Sequence, residues 1–367
     1  MFEAFAGIGT QRMALRRAGI PHEVVAISEI DKHAAKTYMA IHGYTPNLGD
    51  IRAVPAGGIP DHDLLTYSFP CQDISVAGHK QGFAEGSGTR SSLLWECKRI
   101  IERKRPAYLL LENVKALVNK ENVAGFRVWL TTLEGLGYTN YCKVLNAKHF
   151  GVPQNRERVF CVSVRGEHEP FAFPEPVPLG IRAIDLLEEH VDESFYVSET
   201  MARRFTLTPR LGTEIKIYGH VKKSLNTSGY RYLVYDPRGI TPCLTATEAK
   251  LPKLMAIGAS RGRNPADPSD RTPGMPTVQR IKINRDGVSN TISTVQKDNV
   301  VVENADDISI RKITPREAWR LMGISDQAFD KARRVTSNSQ LYKQAGNAIA
   351  VPVLEAIFTS LFGRRAD

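Results

Sequence analysis

The residues best suited to covalent chemistry are a cysteine and a carboxylic acid that each follow a short apolar run. Cys71 comes after Leu64–Ser68 and Phe69-Pro70, and Glu112 ends the run Tyr108–Glu112. A cysteine at the end of a buried strand can act as a nucleophile, although a structural buried cysteine is the commoner case. Because no histidine accompanies the pair in its motifs, the combination favours a thiolate attacking a ring carbon while the acid protonates or hydrogen-bonds a ring nitrogen.

A second set of residues is typical of a nucleoside cofactor site. The segment Phe5-Ala6-Gly7-Ile8-Gly9 ends the first apolar run, and its glycines would let the backbone approach a ligand closely. Glu29 ends the next run and could accept both ribose hydroxyls, and Asp50 could meet an adenine amino group. These residues leave NAD and S-adenosylmethionine open, although the lack of a third glycine for a pyrophosphate disfavours a dinucleotide.

The elements that must position these residues alternate along the first ~165 residues. This alternation predicts an α/β domain with a parallel sheet covered on both faces, and ligands then bind at the carboxyl ends of the strands. The predicted strands are Phe2–Ala6, Val24–Ser28, Leu64–Ser68, Tyr108–Glu112, Lys143–Ala147 and Val159–Val164, and the predicted helices are Gln11–Ala18, Lys32–Ile41, Ser92–Glu102 and Ala124–Leu136.

Composition limits the class of protein. The 367 residues are 42% hydrophobic and 24% charged, as in an ordinary soluble globular protein. No apolar run approaches the ~18 residues of a membrane span, and no signal peptide precedes the first strand. The 5 cysteines form no Cys-x-x-Cys pair, so we expect no metal site, no disulfide framework, and reduced thiols in a cytoplasmic protein.

The positive charge is concentrated in one region of the chain. The net charge is +10, and residues 201–300 contain 17 Lys and Arg against 7 Asp and Glu, so the remaining chain is neutral. A basic module on a neutral body suits a polyanionic partner such as a nucleic acid, although a solvated basic surface is an equal alternative on charge alone.

The composition and periodicity of the sequence change after about residue 167, and helical periodicity returns near residue 311. Pro and Gly become frequent, which predicts a smaller, loop-rich second domain. Two of its segments, Arg238–Thr245 and Asp286–Ser293, resemble each other and could be a duplicated hairpin. Thr314-Pro315-Arg316-Glu317 then predicts a capped helix, and Val353–Phe362 a final apolar helix that packs back on the sheet domain.

Taken together, the motifs resemble those of bacterial and phage DNA cytosine-5 methyltransferases, in the family's order and over nearly the whole chain. One departure is Phe69-Pro70, where many members have two prolines before the cysteine. The motifs are Phe5–Gly9, Glu29, Asp50-Ile51, Pro70-Cys71-Gln72, Leu93-Leu94, Glu112-Asn113-Val114, Gln154–Arg158, Arg311–Glu317 and Gln344–Ala348.

The resemblance implies roles for individual residues in a reaction at cytosine carbon 5. Cys71 would attack carbon 6, Glu112 would protonate or share a proton with ring nitrogen 3, and Asn113 would hold the Glu112 loop. Arg158 would bind the cytosine carbonyl oxygen, and Arg156 would support the site or bind phosphate. The target base would be flipped out of the duplex, and the Gly-rich segment Ser75–Arg90 would close over it.

The resemblance also implies the architecture and the ligand-binding residues. The fold would be a Rossmann-like S-adenosylmethionine-dependent methyltransferase sheet, formed by residues 1–166 and 311–367, with a target-recognition domain at 167–310. Residues implied for S-adenosylmethionine are Phe5, Gly7, Ile8, Gly9, Glu29, Ile30, Asp50, Ile51, Pro70, Leu93, Asn347 and Ala348. Residues implied for DNA are Gln72, Ser75, Gly78, Arg90, Arg238, Gly239 and Thr291, and the sequence leaves open which repeat reads bases.

Three rival functions remain at this point. One branch of the family methylates transfer RNA, but its recognition regions are usually shorter than the ~140 residues here. A non-catalytic DNA-binding relative would be expected to lack Cys71, Glu112 or Arg158, and an NAD-linked oxidoreductase would bind nicotinamide. We therefore expect a monomeric enzyme acting on double-stranded DNA, in restriction-modification with a cognate endonuclease or in phage self-protection.

Overall fold

A computed structural model of the protein describes residues 1–70, 90–196, 206–207, 255–263, 278–283, 289–290, 299–303 and 309–363. Between 206 and 312 it describes the backbone of short strands only. The helices are α1 (Thr10–Arg17), α2 (Lys32–His42), α3 (Leu94–Lys104), α4 (Val123–Gly135), α5 (Pro315–Arg320), α6 (Asp326–Arg333), α7 (Asn338–Asn347) and α8 (Val351–Phe362). The strands are β1 (Phe2–Ala4), β2 (Ala26–Ser28), β3 (Leu64–Tyr67), β4 (Tyr108–Val114), β5 (Tyr138–Asn146), β6 (Gln154–Asn155), β7 (Glu157–Arg165), β8 (Thr206–Leu207), β9 (Met255–Arg263), β10 (Val278–Ile283), β11 (Ser289–Asn290), β12 (Asn299–Glu303) and β13 (Ser309–Lys312).

The central sheet has the order β2-β1-β3-β4-β7-β5. The predicted α/β fold is confirmed, and the predicted parallel pairing holds for four of the six strands. Strands β1 to β4 run parallel, whereas β7 pairs antiparallel with both β4 and β5. The physical reason is the short connection between β5 and β7, because a parallel pairing needs a crossover of a dozen or more residues.

Both faces of the central sheet are buried, which explains the continuous apolar runs of its strands. Successive residues of β4 serve opposite faces: Leu109 and Leu111 pack with α3 and α4, and Leu110 packs with α1 and the C-terminal helices. Continuing this alternation, Glu112 lies on the side of Leu110, at the carboxyl end of the strand.

The C-terminal helices return to the sheet domain as predicted. Thr314 caps α5, and its side chain and that of Glu317 form the expected capping box. Helix α8 packs against α1. In the part of the chain that the structure describes, Asn338–Phe362 is the one segment long and apolar enough to cross a membrane, but it is half buried and divided into α7 and α8. Neither helix alone would span the ~30 Å of a bilayer core.

A tight contact at Gly323 gives a prediction about the stability of this C-terminal region. Gly323 has φ +71°, and a Cβ there would lie 2.3 Å from Cδ of Pro352. We expect Gly323→Ala to lower the free energy of unfolding by about 2–4 kcal/mol, because it adds backbone strain and a clash at the start of α8. Urea denaturation measures this, with Gly57→Ala as the control because Gly57 has open space and no positive φ. An equal effect at both glycines would contradict the prediction.

The expectation of reduced cysteines is wrong for two of them. Cys142 and Cys161 form a disulfide, since the antiparallel register of β5 and β7 places them opposite each other with Cα atoms 4.2 Å apart. Sequence spacing does not reveal such a pair, because it depends on strand register. Cys97 is free and buried, and Cys71 and Cys243 lie outside the described residues.

The region between 206 and 312 contributes a second sheet with the order β13-β12-β9-β10-β8. The stretch before it, up to residue 196, packs on the domain of the central sheet: Ala183 is buried in that core, and the backbone N–H of Glu188 donates to Glu317 at 2.9 Å. The boundaries 167 and 310 for a separate domain stay a prediction.

Candidate active site

A cavity of about 350 Å³ lies at the carboxyl ends of β1 to β4, where the alternating sequence predicted a ligand site. It brings together residues from the N-terminal, middle and C-terminal motifs. The residues assigned from the sequence that line it are Phe5, Gly7, Ile8, Glu29, Pro70, Glu112, Asn113, Arg156, Arg158, Asn347 and Ala348.

The turn that follows β1 has an unusual backbone. Phe5, Gly7 and Gly9 all have positive φ, at 56°, 57° and 76°. Gly9 does not line the cavity; it faces α2, where a Cβ would lie 2.5 Å from both His42 Nε2 and Tyr38 Cε2. Glycine is required at this position for a close approach of turn and helix, a reason different from the predicted contact with the cofactor.

Glu29 is held at the wall of the cavity by two backbone groups. Its carboxylate accepts from the N–H of Gly7 at 2.8 Å and from the N–H of Asp31 at 2.7 Å. Burial raises the pKa of Glu29, and these hydrogen bonds oppose the shift. The carboxylate is thus oriented by the chain itself, as a group that accepts ribose hydroxyls must be.

Glu112 and Arg158 form an ion pair on the opposite wall. Arg158 Nε lies 3.3 Å from Glu112 Oε1, and the two side chains are 17% and 10% exposed. Burial raises the pKa of Glu112, while the charges of Arg158 and Arg156 and the hydroxyl of Ser68 lower it. The raised pKa extends to higher pH the range in which Glu112 carries a proton, which is the property needed of a general acid.

Asn113 connects the Glu112 strand to the segment before Cys71. Its side-chain amide donates to the carbonyl of Phe69 at 2.9 Å, and its amide oxygen accepts from the N–H of Val114 at 2.9 Å. Asn113 is buried, and Pro70 lines the same cavity as Glu112. Cys71 itself lies outside the described residues.

Arg156 holds the C-terminal motif against the site. Its guanidinium donates to the carbonyls of Gly346 at 3.0 Å and Ala348 at 2.7 Å, and its side chain is buried. Of the two roles considered from the sequence, this geometry favours support of the site over phosphate binding. The same contacts explain how Asn347, near the end of the chain, reaches the cavity.

Four more residues assigned to the cofactor do not line the cavity. Ile30 is 69% exposed, Ile51 is buried in the core, and Leu93 packs against the core at the start of α3. The carboxylate of Asp50 is paired with Arg52, whose Nη2 lies 2.5 Å away, so an adenine amino group would have to compete with Arg52 for it. Their assignment to the cofactor stays a prediction.

Several residues on the wall were missed from the sequence. Lys343 pairs with Asp31 at 2.6 Å, and the side-chain amide of Gln344 donates to Thr37 at 2.9 Å, so α7 is attached to α2 at the edge of the cavity. Sequence proximity could have indicated them, because Asp31 lies close to Glu29, and Lys343 and Gln344 lie close to Asn347. Thr10, Gln11, Ser68 and Phe69 also line the cavity and adjoin predicted site residues.

Most residues assigned to DNA lie outside the described residues: Gln72, Ser75, Gly78, Arg238, Gly239 and Thr291. Arg90 begins a short 3₁₀-helix, Arg90–Leu93. The second repeat is partly described, because β11 pairs in parallel with β6, joining Ser289 to Gln154 and Asn290 to Asn155. The first repeat, Arg238–Thr245, is outside the described ranges.

Comparison with known proteins gives a consistent result. The family model for C-5 cytosine-specific DNA methylase matches residues 1–363. The chain is 37% identical to the type II methyltransferase M2.ScrFI of Lactococcus lactis subsp. cremoris, covering 99% of this chain and 98% of that protein. It is 33% identical to the orphan methyltransferase M.SPBetaI of Bacillus phage SPbeta, covering 97% and 96%.

Solved structures support the fold. The S. pombe Dnmt2 methyltransferase superposes with a TM-score of 0.62 at 17% identity, covering 98% of this chain and 96% of that one. A mutant of Spodoptera frugiperda DNMT2 gives 0.65 at 17%, covering 98% of each chain. The cavity and the family match over residues 1–363 agree, and the chain therefore belongs to the C-5 cytosine-specific DNA methylase family and is a DNA (cytosine-5-)-methyltransferase.

Proposed function

We propose that the protein transfers a methyl group from S-adenosylmethionine to carbon 5 of a cytosine flipped out of a specific duplex DNA sequence, through a covalent bond to Cys71. The observation that carries this proposal is the shared cavity. Glu29 and Gly7 line it on the side of β1 and β2, and Glu112 and Arg158 line it at the ends of β4 and β7.

The cofactor side of the cavity fits an adenosine-containing sulfonium. The Glu29 carboxylate, anchored by Gly7 and Asp31, can accept the ribose hydroxyls, and Gly7 has no side chain to obstruct the ligand. Phe5, Pro70 and Asn347 would complete the pocket. When bound, S-adenosylmethionine supplies an electrophilic methyl group.

The target side supplies a nucleophile and a proton. The Cys71 thiolate bonds to carbon 6 of the cytosine while the proton of Glu112 is shared with or passed to ring nitrogen 3, so that negative charge does not accumulate on the ring. Carbon 5 would then attack the methyl group, and the sulfonium sulfur would keep the electron pair of the broken bond and leave as a neutral thioether. A solvent water takes the proton from carbon 5, which restores the double bond as the bond between sulfur and carbon 6 breaks and the thiolate returns. Ring nitrogen 3 gives its proton back to Glu112 in the same step.

Arg158 and Asn113 position these groups. Arg158 is charged and partly buried beside Glu112, so it can donate to the cytosine carbonyl oxygen. Asn113 ties the strand of Glu112 to Phe69 and thereby sets the distance between the acid and the segment before Cys71. A stacked base exposes neither face of its ring, so the reaction requires base flipping.

The basic module is proposed to bind the DNA duplex. The excess of Lys and Arg in residues 201–300 suits phosphate contacts that do not depend on sequence. Pairing of β11 with β6 brings the second repeat next to the strand that leads to Arg156 and Arg158.

Incubation with methyl-labelled S-adenosylmethionine and either duplex DNA or transfer RNA tests the substrate class. We expect label in DNA, at carbon 5 of cytosine within one sequence context. Label confined to RNA would overturn the proposal in favour of the RNA alternative. Bisulfite sequencing of DNA from cells that express the protein would then identify the recognised sequence.

The biological setting is proposed from the relatives. Some are named type II and others orphan phage methyltransferases, so restriction-modification with a cognate endonuclease and phage self-protection are both consistent with this chain. We expect a cytoplasmic monomer, since the target is a single base.

A further inference from the structure

Two rings of α2 lie directly beneath the turn that follows β1. The rings of Tyr38 and His42 are 4.6 Å apart between centroids, and both residues are buried. Gly9 sits against them, and its missing side chain is what permits the contact, because a Cβ would come within 2.5 Å of each ring. These two rings therefore set the distance between the turn and α2.

His42 also makes a directional contact with the turn. Its Nε2 donates to the carbonyl of Ile8 at 3.0 Å, since a carbonyl oxygen can only accept. Its Nδ1 lies 3.5 Å from Nη1 of Arg16 and is left to accept. Burial lowers the pKa of His42 to about 3, which agrees with a neutral ring carrying its hydrogen on Nε2.

Tyr38 ties the same pair to the first strand. Its hydroxyl donates to Glu3 at 2.5 Å, and Glu3 is fully buried in β1. His42 therefore joins α2 to the turn through Ile8, and Tyr38 joins α2 to β1 through Glu3. Neither ring lines the cavity, so neither is placed to touch a ligand.

We infer that His42 and Tyr38 are positioning residues for the cofactor. They hold the turn from Gly7 to Gly9 in the position in which the N–H of Gly7 donates to Glu29 and Ile8 lines the cavity. This inference rests on the proposed binding of S-adenosylmethionine at that turn. His42 carries most of the effect, since it alone of the pair hydrogen-bonds the turn itself.

Two amide substitutions at His42 test whether the hydrogen bond to Ile8 is needed, or only a polar side chain at this position. In His42→Gln the amide nitrogen can take the place of Nε2 and donate to Ile8, whereas in His42→Asn the side chain is one methylene shorter and falls short. We expect His42→Asn to raise the Kd for S-adenosylmethionine about tenfold, the effect of one lost hydrogen bond to a buried carbonyl. His42→Gln should stay within about threefold of the unsubstituted protein.

Isothermal titration with S-adenosylmethionine measures the Kd, and initial rates should show a raised KM for this cofactor with a smaller change in kcat. The matched control is His62→Asn, because His62 is also a histidine bonded to a backbone carbonyl but packs at a tilted angle against Phe2, at the amino end of β1. Melting temperatures of all variants identify any that fail to fold.

The outcomes distinguish the two levels of inference. If the unsubstituted protein binds no S-adenosylmethionine, the proposed function fails and this inference fails with it. If it binds, and His42→Asn binds equally well or His42→Gln loses as much affinity as His42→Asn, positioning by His42 is refuted while the proposed function stands. A loss confined to His42→Asn supports it.

Discussion

Replacing Cys71 with serine is expected to abolish methyl transfer, with a fall in kcat of more than about a thousandfold, and to leave binding of duplex DNA intact. A serine hydroxyl is far less acidic than a thiol and is a poor nucleophile without an adjacent base. The described neighbours of position 71 support this expectation, since Asn113 fixes Phe69, and Pro70 and Glu112 line one cavity. Transfer of labelled methyl groups and a gel-shift assay on the same preparation measure the two properties.

The control for this substitution is Cys97→Ser. Cys97 is a free cysteine, but it is buried in α3 and burial raises its pKa, so it is not placed to supply a thiolate. We expect that variant to remain active. Substantial activity in Cys71→Ser, or equal loss in both variants, would refute a covalent role specific to Cys71.

A modified substrate tests the covalent bond directly. If fluorine replaces hydrogen on carbon 5 of the target cytosine, the last step cannot release a proton, so the bond from sulfur to carbon 6 should persist. We expect a protein–DNA species that survives denaturing electrophoresis and is absent with Cys71→Ser. Failure to trap such a species with the unsubstituted, active protein would contradict the proposed pathway.

The sequence predicted the strands around the site because their residues are apolar on both faces, as in Leu109, Leu110 and Leu111. It failed where the outcome depended on pairing between distant segments. The antiparallel direction of β7 depends on the short connection from β5, and the disulfide between Cys142 and Cys161 depends on the register of these two strands. Register is set by the turn and by packing of the whole sheet, which no local pattern records.

The same distinction applies within the site. Glu29 and Glu112 were predictable because they lie near the carboxyl ends of two apolar strands, whereas Arg158 was implied only by the resemblance of its motif to the family. The role of Gly9 was not predictable, because it depends on Tyr38 and His42, which approach from another element. The contacts of Arg156 with the carbonyls of Gly346 and Ala348 likewise join segments 190 and 192 residues apart.

Replacing Glu112 with glutamine is expected to lower kcat by about a hundred- to ten-thousandfold, the usual contribution of a positioned general acid. Glutamine is close in shape and can still receive a hydrogen bond from Ser68, so the cavity should persist. It cannot release a proton to the cytosine ring. Binding of S-adenosylmethionine should change little, because Glu29 and not Glu112 is on the cofactor side. Glu134→Gln, at an exposed position of α4, is the control.

The pH profile assigns the effect to the proton. Burial raises the pKa of Glu112, so the protonated form is present at low pH and is lost as pH rises through that pKa. Activity of the unsubstituted protein should therefore fall on the alkaline side, and Glu112→Gln should lack that dependence. Arg158→Met removes the charge that lowers the pKa most, so its alkaline fall should move to higher pH although its overall rate drops. If the fall instead persists unchanged in Glu112→Gln, another group titrates and Glu112 is not the acid.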